Sequence, residues 1–224
     1  MKAHLRNPAV MAAIAAVILI VVGPGWWVWK QNATADEKKA VAAQVAGVTQ
    51  SLLLSQALRG GEGEAQELDK LVAAADGPIN ALRSLPKRHD AAMVEAAETY
   101  MVDIQRVLRR QANLVRVRET TAASQNALMQ HMGQATNRSD DWIREAVALR
   151  ARLEKDFFEF KSAASAFASA LDALPASRRA LAEKLPGVIL YDEPGVGKLQ
   201  TRAADDAKAA TEELEALKRL PPPR

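Results

Sequence analysis

From Trp142 onward the apolar positions advance by alternating steps of four and three: Trp142, Ala146, Leu149, Leu153, Asp156, Phe160, Ala163, Phe167, Ala170 and Leu174. This is a heptad seam over more than four repeats, and Asp156 is its one polar member. Ser139 is a natural N-cap, and Asp140 and Asp141 follow where a helix favours negative charge. Pro175 is expected to end this helix. A carboxylate in such a seam is expected to lie near water or to pair with a Lys or Arg. The run "SAASAFASALDALPAS" is rich in small residues, which let a neighbouring helix approach closely.

The same periodicity predicts further helices on either side. One runs from about residue 36 to 58 with Val41, Val45, Val48 and Leu52 on a stripe, and stops at Gly60-Gly61. A second carries Leu68, Leu71, Val72 and Ala75, and is expected to break at Asp76-Gly77-Pro78. A short turn with Ile79, Leu82 and Leu85 then closes at Pro86. The third runs from about 90 to 118, its face formed by Tyr100, Met101, Ile104, Val107, Leu108, Leu114 and Val115. A polar break is expected at Thr120 and Thr121 before helix resumes over 125–132. After Pro175 a short piece with Leu181 and Leu185 reaches Pro186-Gly187. Val188 to Tyr191 is the single strand-like run. A last helix carries Leu199, Ala203, Ala210, Leu214 and Leu217 and ends at "PPPR".

Apolar residues make up 49% of the 224, but aromatics only 4%. An Ala-rich, aromatic-poor chain of this size predicts an all-α fold. With short connections the natural solution is an antiparallel helical bundle with coiled-coil-like packing. The expected organisation is a basic tail over 1–6, a membrane segment over 7–30 and a bundle over 31–187. A loop over 188–198 and a C-terminal helix with a Pro-rich tail over 199–224 complete it.

The membrane segment, "NPAVMAAIAAVILIVVGPGWWVW", is uncharged from Asn7 to Trp29 and bounded by Arg6 and Lys30. About 20 apolar residues span a bilayer core as a helix. Trp26, Trp27 and Trp29 suit the headgroup interface at its end. Ala33-Thr34-Ala35 has the A-x-A form of a signal-peptidase site. A cleavable apolar region is however only about 7–15 residues, so a retained signal-anchor is expected. Lys2 and Arg6 face Lys30, Lys38 and Lys39 across the segment. A short basic N-terminal tail usually stays inside, which puts the large domain outside. In a bacterium that means a single-pass inner-membrane protein with a periplasmic C-terminal domain.

The net charge is +3, and Lys2, Arg6 and Lys30 account for it: the other 27 basic side chains face 27 acidic ones. A neutral remainder removes the electrostatic case for nucleic-acid binding. With no cysteine, thiolate metal and redox sites are excluded. His4, His89 and His131 are dispersed, so no metal or cofactor is expected. "GVGK" at 195–198 fails as a phosphate-binding loop, because Asp192 stands where its first glycine belongs and Leu199 where its hydroxyl belongs. A turn leading into the last helix is expected instead. Arg106, Arg109, Arg110 and Arg116 share one arc of the third helix opposite its apolar face. The arc suits an anionic ligand, lipid headgroups or an acidic partner. A solvated face with pairs such as Asp103–Arg106 is the ordinary alternative.

Residues 50–75, "QSLLLSQALRGGEGEAQELDKLVAAA", resemble the first periplasmic helices of type IV pilus chemotaxis transducers and nitrate sensors, through Leu54-Ser55-Gln56 and the Gly-Glu-Ala run after it. The resemblance implies a related helical bundle. The family's anion-binding arginine falls at Leu52, and the arginine after its Ser-Gln at Ala57, so nitrate binding is not implied.

No convergent catalytic set is visible, and a non-enzymatic role is expected. The leading expectation is a membrane-anchored helical protein of the bacterial envelope acting by protein–protein interaction, as scaffold or accessory subunit. The seam through Trp142, Leu149, Leu153, Phe160, Phe167 and Leu174 would be its intramolecular core or a self-association surface. The second expectation is a ligand-sensing bundle that uses the arginine arc and signals through a partner.

Overall fold

A computed structural model describes residues 34–58, 63–85, 89–134 and 139–221. The expected membrane segment, with Trp26, Trp27 and Trp29, lies outside the described residues. Among those described, no helix is long and apolar enough to cross a membrane.

The described chain is all-helical. Helix α1 covers residues 34–57. It is followed by α2 (Glu64–Arg83), α3 (Ala91–Gly133), α4 (Asp140–Lys184) and α5 (Glu193–Arg219). Side-chain pairs give the directions. Glu37 meets the start of α3, Thr49 meets Tyr100, and Gln111 meets Ser55, so α1 and α3 run parallel. Arg83–Glu98 and Arg118–Glu64 set α2 antiparallel to α3. Ser124–Asp156 and His131–Trp142 do the same for α3 and α4, as Arg178–Glu193 and Arg150–Leu217 do for α4 and α5.

The result is two tiers that share α3 and α4, each about 65 Å long at 1.5 Å per residue. In the lower tier α1 and α2 pack with the first half of α3 and the last half of α4. In the upper tier α5 takes over, beginning where α1 ends: a side chain at Gly195 would collide with Gln56 of α1. Val41, Val45, Val48 and Leu52 join Tyr100, Met101, Ile104 and Leu108 in one core with Phe167, Leu171 and Leu174. A smaller upper cluster holds Leu153, Phe157, Leu214 and Leu217.

Several expected breaks are absent, each for an identifiable reason. α2 runs through Asp76-Gly77-Pro78, because Ala75, Ile79 and Leu82 stay buried on either side. The Pro78 ring packs 3.2 Å from where a Cβ on Gly47 would stand, a close approach that glycine permits. α3 runs through Thr120 and Thr121. Thr121 Oγ1 donates to the carbonyls of Val117 and Asp156, and Ser124 donates to the Asp156 carboxylate. The polar stretch is thus an interhelical contact.

Pro175 does not end α4 either. It lies on the exposed face, while Leu171, Leu174 and Leu181 are fully buried. Proline inside a helix costs about 3 kcal/mol. Burying one leucine contributes about 1.5–3 kcal/mol, so Leu181 and Leu185, the two buried beyond Pro175, offset or outweigh it. Val188–Tyr191 forms no strand, and the connection is shorter than the expected 188–198 loop. Asp192 caps α5, accepting from the Gly195 N–H at 2.8 Å, with Pro194 in the first turn. Lys198 therefore lies inside α5.

Pro175→Ala is expected to raise stability by about 1–3 kcal/mol in denaturant melts followed by circular dichroism. A loss of stability would mean that the chain does not run through this point as a regular helix.

Candidate functional site

The arginine arc is largely committed to structure. Arg106 pairs with Asp103 at 2.7 Å, Arg109 lies 3.6 Å from Asp76, and Arg116 binds Asp69. The last two hold α2 against α3, and Gln105 also donates to Asp76. Arg110 is exposed and has no ion pair among the described residues. The four do not converge on a shared cavity.

The heptad seam lies mostly in the intramolecular core. Leu153, Phe160, Phe167 and Leu174 are buried, and Leu149 and Trp142 are half-buried. Asp156, buried with them, takes the Ser124 hydroxyl and lies 3.9 Å from Arg152. Trp142 closes the α3–α4 hairpin. Its indole N–H donates to the His131 carbonyl at 3.2 Å, its own carbonyl meets His131 Nε2 at 3.0 Å, and the rings stack at 5.0 Å.

Two polar devices brace the lower tier. The buried Glu37 carboxylate accepts the backbone N–H groups of His89 and Asp90 at 3.0–3.1 Å, tying α1 to the start of α3. Tyr100 and Tyr191 stack in the core with centroids 6.2 Å apart. The Tyr100 hydroxyl accepts from the Tyr191 N–H at 3.2 Å and shares a hydrogen bond with Thr49 at 3.1 Å. The Arg178 guanidinium lies 5.4 Å from the centre of the Tyr191 ring and pairs with Glu193. Burial pushes Tyr191 up to about 12 against the opposing pull of Arg178, and raises Tyr100 as well. The Tyr191 hydroxyl is buried with no hydrogen-bond partner among the described residues.

The side chains that do converge lie where the tiers meet. Leu58, Glu64, Gln111, Arg118, Arg202 and Asp206 line a cleft floored by Leu114, Val115, Phe167 and Leu199. Arg118 binds Glu64 at 2.8 Å. Burial raises the Asp206 carboxyl above the usual carboxylate range, and Arg118 works against that. A smaller pocket lined by Gln56, Asp192 and Lys198 shares Leu199 and Arg202 with it. Residues from five separate segments build this site, so no local motif marks it. One signal was present: Gln111 interrupts the apolar stripe of α3 between Leu108 and Leu114.

A second surface lies higher up. α3 and α5 both pack along α4, but their backbones do not approach one another. The groove between them holds about 220 Å³ and is lined by Leu128 and Met129 of α3, Phe157 of α4, Ala216 and Leu217 of α5 and Leu220 just past its end. Met129 and Leu220 are each 58% exposed.

Comparison with known proteins finds no matching family model, no matching curated protein and no matching solved structure. Among the described residues no cluster of His, Asp and Glu is arranged to hold a metal. Leu52 is fully buried in the core of the lower tier.

The tyrosine pair gives opposite expectations for two similar substitutions. Tyr100→Phe strands the Tyr191 N–H and should cost about 1–2 kcal/mol, whereas Tyr191→Phe removes an unpartnered hydroxyl and should be neutral or stabilising. Both tyrosines favour the neutral form in the fold, so their contribution is intact below pH 10 and is lost as pH rises from about 10 toward 12. Alkaline melts of Tyr191→Phe should show a shallower loss than the parent. An equal loss would dismiss the assignment.

Proposed function

We propose that this chain is a membrane-anchored docking module that acts by protein–protein interaction, as a scaffold or accessory subunit of a membrane complex. The observation that carries the reading is the upper tier, where three helices leave an apolar groove between α3 and α5. In the lower tier the corresponding interval is filled by α2, whose Glu64 end stands beside Arg118 at the foot of the groove. An amphipathic helix from a partner, laid along the groove above α2, would complete a fourth corner and cover Met129, Leu217 and Leu220. Helix-in-groove recognition needs no catalytic group and no cofactor, in keeping with an all-helical scaffold.

The uncharged run from Asn7 to Trp29 supports the anchor. Placing it in a bacterial inner membrane, with the bundle in the periplasm, is part of the same proposal and rests on the basic Lys2 and Arg6 ahead of the run. The seam from Trp142 to Leu174 is used up in the fold, which favours the groove over the seam as the contact surface. Sensing through the arginine arc is the weaker reading, since Arg106, Arg109 and Arg116 already have carboxylate partners.

A photocrosslinking residue placed at Met129 or Leu220 in intact cells should capture a discrete protein adduct in the membrane fraction. The same residue at the exposed Ala73 of α2 should not. An adduct with the mass of a dimer would identify the partner as a second copy. Absence of any adduct at both groove positions, or recovery of the chain in the soluble fraction, would refute the proposal.

A further inference from the structure

The cleft at the junction of the tiers holds about 480 Å³, within the usual range for a small-molecule site. Its chemistry is unusually balanced. Arg118 and Glu64 already neutralise one another at 2.8 Å. That leaves Arg202 and Asp206, both on α5 and one turn apart, as a cation and a carboxylate on the same wall. The floor of Leu114, Phe167 and Leu199 is apolar.

Gln111 supplies the independent observation. It is 6% exposed and forms part of the cleft wall. Its Nε2 donates to the Ser55 carbonyl at 3.4 Å, which fixes the orientation of the amide. Its Oε1 is then a buried acceptor with no donor among the described residues. Buried acceptors are satisfied in the great majority of native structures, so one held in the wall of a cleft calls for a donor from the cleft.

We infer that this cleft binds a small zwitterion, an α-amino acid with an apolar side chain. Its ammonium group donates to Gln111 Oε1 and the Asp206 carboxylate, its carboxylate lies against Arg202, and its side chain covers the floor. A ligand of one sign satisfies only half of this arrangement. A nucleotide or inorganic phosphate meets Glu64 and Asp206, two carboxylates in the wall, and is disfavoured. Because the cleft is bordered by all five helices or their ends, occupancy braces the two tiers against each other.

The full-length chain in detergent micelles, titrated calorimetrically with L-alanine, L-valine, L-leucine and L-phenylalanine, tests this. At least one should bind with a Kd below about 1 mM. Its amide, which lacks the carboxylate, and its des-amino analogue, which lacks the ammonium, should each bind about tenfold more weakly or worse. Gln111→Leu and Arg202→Ala should weaken binding to a similar degree. Arg202 is exposed, so its variant decides the matter if Gln111→Leu does not fold. No heat from any of the four at about tenfold above that Kd, a des-amino analogue that binds as well as its parent, or unchanged binding by Arg202→Ala would each overturn the proposal.

Discussion

The architecture depends on α4 staying helical past Pro175. Were α4 to stop there, Ser177, Leu181 and Leu185 would leave the core, and Arg178 would lose Tyr191 and Glu193. The lower tier would then have three helices and no lid over Tyr100. Pro175 is itself exposed, removes one N–H from the hydrogen-bond ladder and frees the carbonyl of Leu171. Burial on the other side decides the outcome. α4 is also the common wall of both tiers, the element on which α3 and α5 both lean. The groove of the upper tier and the cleft below it exist because α3 and α5 meet α4 without meeting each other.

Much of this was legible along the chain. The seam from Trp142 to Leu174 anticipates the face that α4 buries, and the stripe from Tyr100 to Val115 anticipates that of α3. What misleads is local punctuation. Pro78, Pro175 and the pair Thr120-Thr121 read as helix breakers because propensity is a property of single residues, whereas continuity is a property of the packed face. Pro78 rests against Gly47 of α1, Thr121 donates across to α4, and both partners are distant in sequence. The "GVGK" segment shows the same thing from the other side. Asp192 and Pro194 there start a helix, where a turn continuing to residue 198 was expected.

The functional surfaces were less legible, for a related reason. The arginines of α3 stand out in sequence because they are close together, yet closeness on one helix makes a stripe and no pocket. Asp69 and Asp76 on α2 then engage two of them. The junction cleft draws Glu64, Gln111, Arg118, Arg202 and Asp206 from three helices. Only Gln111, polar within an apolar stripe, hinted at it. Likewise the apolar groove of the upper tier follows from helix lengths and offsets. It opens because α2 begins at Glu64, beside Arg118, and covers only α3 below that point, while α3 continues to Gly133.

Continuity of α4 through both tiers can be measured directly. The chain has no cysteine, so spin labels at Arg144→Cys and Glu183→Cys report one pair by pulsed dipolar spectroscopy. Both positions are exposed. An unbroken helix over those 39 residues predicts a single distance near 58 Å at 1.5 Å per residue. A distance below about 45 Å, as a chain reversing at Pro175 would give, contradicts the two-tier bundle.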